Sequence, residues 1–258
     1  MECAIQRMLE EAPYNVHLFV KDPNTNHYFI QEKLHAVFSS ASLIKVPILL
    51  GVLTYLERYH QDVHQEIRIA PEEWVDYSVI SEQRIESSTI YELLVWMIIT
   101  SDNAATNVLI DFIGMGFLNH YFRQIGLRQT KLQRKMMDFE KLERGIDNLT
   151  SANDMAHLFS RIYQQDLLPK QFSKLTIDIL SRQRVHESLK RYLVDDVKMA
   201  HKTGGLETVE HDVGIVYNVS NDYLIGVFIT EVTNNEYAKQ LIGRISKSAY
   251  EHLVKRKG

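Results

Sequence analysis

An α/β (α+β) fold is predicted: an antiparallel sheet built from N- and C-terminal strands, flanked by helices, with an all-helical lobe inserted. Two observations predict it. Strand-like patterns are confined to residues 16–32 and to the stretch after 195, while the middle of the chain, to about residue 185, carries helical periodicity. A third observation concerns organisation. No repeat, low-complexity tract or linker interrupts the 258 residues, which reads as one domain with two lobes. The lobes are assigned to 1–59 plus 186–258 (α/β) and 60–185 (helical).

Each element follows in order. Residues 4–11 read as a short helix. VHLFVKD (16–22) and NHYFIQE (26–32) flank PNTN and predict a β-hairpin. FSSASLIKVPILLGVL (38–53) then opens a helix that runs to about residue 59. Pro47 is comfortable only in a first helical turn, so that helix must start near Ala41 or Ser42. TIYELLVWMII (89–99), NAATNVLIDFI (103–113) and SANDMAHLFSRIYQQ (151–165) continue the helical pattern. VDDVKMAHKTGG, HDVGIVYNVS and DYLIGVFITEV read as three strands, with turns at Gly204-Gly205 and Asn221-Asp222. An amphipathic helix from about 235 to 255 ends the chain. A cleft between the lobes is the favoured place for a small-molecule site.

Composition excludes several function classes. With 45% hydrophobic and 24% charged residues and a net charge of −4, the chain has the make-up of a globular protein without an electrostatic footprint for nucleic acid. The basic Lys255-Arg256-Lys257 reads as a solvated chain end. Cys3 is the only cysteine, which rules out an intrachain disulfide and a thiolate metal cluster. His60 and His64, four residues apart, lack a third ligand with suitable spacing, and Gly114-Met-Gly116 lacks the third glycine of a dinucleotide loop. No metal and no organic cofactor is expected. The apolar runs are too short for a membrane span, and the N-terminus reads as a helix, not a signal peptide. The expectation is a cytoplasmic monomer, or an extracytoplasmic one if a leader has been removed.

Three motifs carry chemistry: Ser42-Leu-Ile-Lys45, Ser101-Asp102-Asn103 and Lys202-Thr203-Gly204. Ser-x-x-Lys arises by chance roughly once in a chain of this length, but each tripeptide only about once in twenty such chains. Chance therefore does not explain all three in this order. Positions i and i+3 share a helix face, so Ser42 and Lys45 can touch. An amine in an apolar pocket loses hydration, which disfavours its charge and lets it take the serine proton. A helix N-terminus beside Ser42 favours an oxyanion. Ser101 can relay a proton to a leaving nitrogen, Asn103 can hold a substrate amide, and Lys202 with Thr203 can bind a carboxylate. Gly204 and Gly205 let a strand edge approach the acyl group, with the Gly205 N–H as an oxyanion donor. The plain alternatives are a capping serine with a snorkelling lysine, a helix cap at 101–103 and an ordinary strand-to-turn element at 202–204.

These motifs form the signature set of class A β-lactamases and penicillin-binding proteins. Over essentially its whole length the chain resembles the class A group of that superfamily. Trp74-Val-Asp-Tyr77-Ser78 resembles the segment that presents an aromatic wall, here Tyr77, at the pocket mouth. Ser101-Asp102-Asn103-Ala-Ala-Thr-Asn resembles the family's helix start, and His211-Asp212-Val-Gly-Ile-Val the strand after Lys-Thr-Gly. The resemblance implies a serine hydrolase acylated at Ser42, acting on the amide of β-lactams or of a peptidoglycan-like acyl substrate. One departure bears on mechanism. After an arginine in the Ω loop the family carries Glu-x-x-Leu-Asn, whose glutamate activates the deacylating water. In TKLQRKMMDFEKLERGIDNL, Arg134 and Asp147 can pair across the loop neck, but Met136 takes the glutamate's slot. Asp138 or Glu140 are the candidate substitutes. Without one, the alternatives are a slow-deacylating penicillin-binding protein, D-alanyl peptidase or esterase, or a non-enzymatic covalent receptor.

Overall fold

The computed structural model describes residues 1–194, 197–219 and 221–254. The expected basic end, Lys255-Arg256-Lys257, and Asp195-Asp196 of the expected third strand lie outside the described residues. Helix α1 (Glu2–Glu10) leads into β1 (Asn15–Lys21), β2 (Tyr28–Glu32) and the short β3 (Val37–Ser39). A 3₁₀ turn, Ala41–Ile44, feeds α2 (Lys45–Arg58). The middle of the chain holds β4 (Glu66–Arg68), α3 (Val79–Glu82), β5 (Ser87–Thr89), α4 (Ile90–Ile99), α5 (Asn103–Ile113), α6 (Met115–Gln124), α7 (Phe139–Glu143), β6 (Leu149–Ser151), α8 (Ala152–Gln164) and α9 (Lys170–Ser181). Strands β7 (Lys198–Leu206), β8 (Val209–Tyr217) and β9 (Tyr223–Thr230) precede α10 (Asn235–Val254).

The five-stranded antiparallel sheet has the order β2-β1-β9-β8-β7, so the two ends of the chain join at the β1–β9 pair. One apolar face packs on α1 and α10 through Ile5, Val216, Ile225, Leu241 and Ile242. The other face joins a larger core containing Leu43, Leu50, Leu94, Leu109, Phe159 and Phe228. Strand β8 is covered on both faces, hence its nearly continuous burial.

Three expectations need correction. The segment 60–185 is not all-helical: β4 pairs with β5, and β6 pairs with β3. Gly204-Gly205 is not a turn, because β7 runs on to Leu206 and reverses at Glu207-Thr208. The helix after Ser40 starts as a 3₁₀ turn, and the α-helical part begins only at Lys45. That delay leaves Pro47 within the first α-helical turn, where its missing N–H costs nothing. Among the described residues no helix is long and apolar enough to cross a membrane.

Candidate active site

Several segments converge on one cleft of about 660 Å³, a size suited to a small ligand. Its lining includes Ser42 from the 3₁₀ turn, Ser101 and Asn103 from the α4–α5 junction, and Thr203 and Gly205 from β7. Tyr77 lies at its mouth, and Arg134, Met136 and Asn148 come from the loop before β6.

The local folding has identifiable causes. Asp102 caps α5 by accepting from Ala105 N–H at 2.9 Å, and it also accepts from Val79 N–H at 2.8 Å. It thereby ties the segment that carries Tyr77 to the segment that carries Ser101. Strand β7 lies directly on the 3₁₀ turn. A Cβ on Gly204 would stand 3.2 Å from both Leu43 N and Ser40 O, closer than side chains ordinarily sit, so glycine eases this approach. Gly204 does its work by packing and does not line the cleft; Gly205 does. Ala41, Tyr77, Ser101 and Met137, all in the cleft wall, adopt positive φ between 43° and 64°. Such conformations cost of order 1–3 kcal/mol each and cluster where a site is held against local preference.

The polar side chains form one connected set. Lys45 Nζ donates to Ser101 O at 2.6 Å, Asn103 Oδ1 at 2.9 Å and Ser101 Oγ at 3.2 Å. Lys202 Nζ donates to the same Ser101 Oγ at 3.0 Å and to Thr203 O at 2.7 Å. Ser101 therefore bridges the two lysines. Both lysines are fully buried. Burial drives Lys45 well below the ordinary lysine range; the charge of Lys202 adds to that fall and Asp102 opposes it. Burial also lowers Lys202, to about 7, against the pull of Asp212. The expected contact between Ser42 and Lys45 is not formed: no hydrogen bond joins Ser42 Oγ to Lys45 Nζ. Three oxygens of Ser101 and Asn103 already satisfy the amine. Contacts of this kind commonly tighten only when substrate binds.

The loop between α6 and β6 is pinned at its neck and its middle. Arg134 Nε donates to Asp147 Oδ1 at 2.8 Å, a pair almost wholly buried. Asn148 Oδ1 accepts from the N–H groups of Gln133 and Arg134 at 2.7 and 3.0 Å. Asn107 on α5 holds the Met136 peptide on both sides, accepting from its N–H at 2.7 Å and donating to its carbonyl at 3.1 Å. Met136 thus faces the cleft from a fixed position. Glu140 does not reach it: its side chain is 86% exposed and faces Arg144 at 3.9 Å. Asp138 caps α7 at Lys141 N–H and does not line the cleft either. The five-residue α7 thus leaves Glu140 in solvent and occupies Asp138 at its own N-terminus.

Sequence reasoning did not single out Asn107, Asn148, Glu210 or Asn235. Asn107 lies one α-helical turn after Asn103, a spacing that could have flagged it. Glu210 opposes Gly205 across β7–β8, a register no sequence pattern specifies.

The description "Beta-lactamase enzyme family" belongs to a family model that matches residues 1–253. This chain belongs to the β-lactamase enzyme family. It is 25% identical over 239 residues to the β-lactamase VEB-1 of Pseudomonas aeruginosa, covering 84% of this chain and 78% of that protein. The fold matches a β-lactamase from Chitinophaga pinensis DSM 2588 with TM-score 0.91 and 20% identity, covering 97% and 98% of the two chains. It also matches a mutant of PBP-A solved as the acyl-enzyme complex with penicillin G. There the TM-score is 0.88 and the identity 25%, over 97% of this chain and 95% of that one. Membership of the β-lactamase family makes this protein a hydrolase of that type, and the mixed α/β architecture around a five-stranded antiparallel sheet is the family's fold.

Proposed function

We infer that this β-lactamase-family hydrolase works by serine acylation and releases its acyl group slowly. Ser42 is the nucleophile and Lys45, whose hold on its proton burial weakens, is the base that takes the serine proton. Ser101 passes that proton to the leaving nitrogen. Asn103 holds the substrate amide. Lys202 and Thr203 anchor the substrate carboxylate, with Tyr77 against the ring. The backbone N–H groups of Ser42 and Gly205 stabilise the oxyanion. The tetrahedral intermediate collapses by breaking the C–N bond of the β-lactam, or of a related peptidyl amide, and leaves an ester on Ser42. The substrate is a small acyl donor and the protein acts as a monomer.

The observation that carries this reading is the bridge Lys45–Ser101–Lys202, which joins the three motifs at one cleft wall. Slow release is supported by Met136. A thioether occupies the wall that faces the ester and cannot accept a proton from water, and the nearby carboxylates Asp138 and Glu140 point elsewhere. The relatives include both β-lactamases and a PBP-A acyl-enzyme complex, in keeping with either fate of the ester.

The test mixes the protein with a chromogenic cephalosporin and follows colour and intact mass together. We expect a stoichiometric burst of colour and a persistent one-to-one adduct, absent from Ser42→Ala. Many turnovers without an adduct would refute slow release. An adduct that survives in Ser42→Ala would refute the assigned nucleophile.

A further inference from the structure

Among the described residues, Glu210 is the one carboxylate in the wall of this cleft that is largely shielded from water; Glu207, also in the wall, is exposed. It is 7% exposed, lies on β8 directly opposite Gly205, and lines the cleft together with Asn235 at the start of α10. A Cβ on Gly205 would meet its two carboxyl oxygens at 3.2 and 3.3 Å, so the carboxyl group lies over the residue assigned as oxyanion donor. Asn235 Nδ2 donates to Oε1 at 2.9 Å, and among the described residues no hydrogen bond reaches Oε2. Lys239 is the base whose charge acts on Glu210, but its ammonium is engaged by Glu187 at 2.7 Å. The negative charges of Glu187 and Asp212 act against the Glu210 carboxylate.

A shielded carboxylate without a cationic partner is costly unless something neutralises it. Beside an oxyanion hole it has a second effect, since its charge opposes the negative charge that develops on the substrate. An ammonium group arriving on the substrate removes both penalties. Resting on the acylation reading above, we propose that Glu210 is a specificity-determining residue that selects acyl donors carrying a cationic side-chain group. Asn235 holds the carboxylate in position by its single hydrogen bond, leaving Oε2 to receive the cation.

Ampicillin and benzylpenicillin test this directly, because they differ only by a primary amine beside the side-chain carbonyl. Second-order acylation of Ser42 is followed by intact mass at about pH 6.5, where that amine is largely protonated. Ampicillin is expected to be favoured by about tenfold, the size of a charge-assisted hydrogen bond. Glu210→Gln, which keeps an acceptor for Asn235 and removes the charge, collapses the ratio towards one. Lowering the pH does the same in the unaltered protein, at a pH above the ordinary glutamate range because burial raises this carboxyl. A ratio equal in the two proteins would overturn the proposal. A second measurement does not depend on acylation. D-Phenylglycinamide is titrated into Ser42→Ala protein labelled at its glutamate carboxyl carbons, with the Glu210 signal assigned by its loss on Glu210→Gln. A saturable shift of that signal supports the subsite, and its absence overturns it. If neither penicillin leaves an adduct and neither is hydrolysed, the acylation reading fails and the titration alone decides the cation site; if both are hydrolysed without an adduct, the ratio is read from their kcat/KM values instead.

Discussion

Lys202 and Lys45 meet at one serine hydroxyl, and burial lowers both. Lys45 falls well below the ordinary lysine range through burial and then the Lys202 charge, the direction the proposed proton acceptor needs. Lys202, near 7 and supported by Asp212, is poised to carry the charge that receives a carboxylate. The sign follows directly: as pH rises through about 7, the free protein loses the Lys202 charge, and acylation by a carboxylate-bearing β-lactam falls. Lys202→Arg keeps its charge, so its alkaline limb should flatten; pH profiles of the acylation constant for both proteins check this. Met136 offers the second prediction at this scale. Its peptide is clamped by Asn107 and its side chain faces the cleft, so Met136→Glu puts a carboxylate where water can be activated. We expect deacylation to accelerate about a hundredfold, read as a shorter adduct lifetime by mass. Ser42, Lys45, Ser101 and Lys202 were legible in the sequence because chemistry demands those residue types in short fixed spacings. Glu140 was not excluded by sequence, because whether a loop carboxylate points inward depends on where the loop is pinned.

Elements show the same contrast. Helix starts were legible wherever a capping side chain marks them. Thr89 and Glu92 form a reciprocal capping box on α4, while Asp102 caps α5 and Ser151 caps α8. The strands β4, β5 and β6 have three residues each, too few for a period of two to be read. Gly204-Gly205 misled as a turn because glycine serves two purposes. Here it permits close approach of β7 to the 3₁₀ turn, and the reversal falls three residues later. Gly204→Ala tests that role. Its methyl group would press on backbone atoms of Ser40 and Leu43, so we expect about 1–3 kcal/mol of destabilisation in denaturant melts. Acylation should fall further than stability alone explains, since the displaced turn carries Ser42.

At the scale of the whole molecule, two apolar cores divide the labour. The core between the sheet and α1/α10 lies apart from the one beneath Leu43 and Ile44, which supports the Ser42 turn. Ile242, fully buried in the former, isolates its contribution. Ile242→Ala should cost about 2–5 kcal/mol, at roughly 2–4 °C of melting temperature per kcal/mol. The acylation burst should survive below the new midpoint; its loss there would mean that the two cores are coupled. Hydrophobic periodicity, caps and three short motifs determined by themselves the fold class, most helix boundaries and the residues proposed here to acylate, because each is a local property of adjacent positions. Only the tertiary structure decided that Lys45 turns to Ser101 and not to Ser42, that Met136 lines the cleft while Glu140 faces solvent, and that Glu210 roofs Gly205. Those outcomes depend on strand register and on hydrogen bonds between residues far apart in the chain, 56 positions for Lys45 and Ser101, which no local pattern encodes.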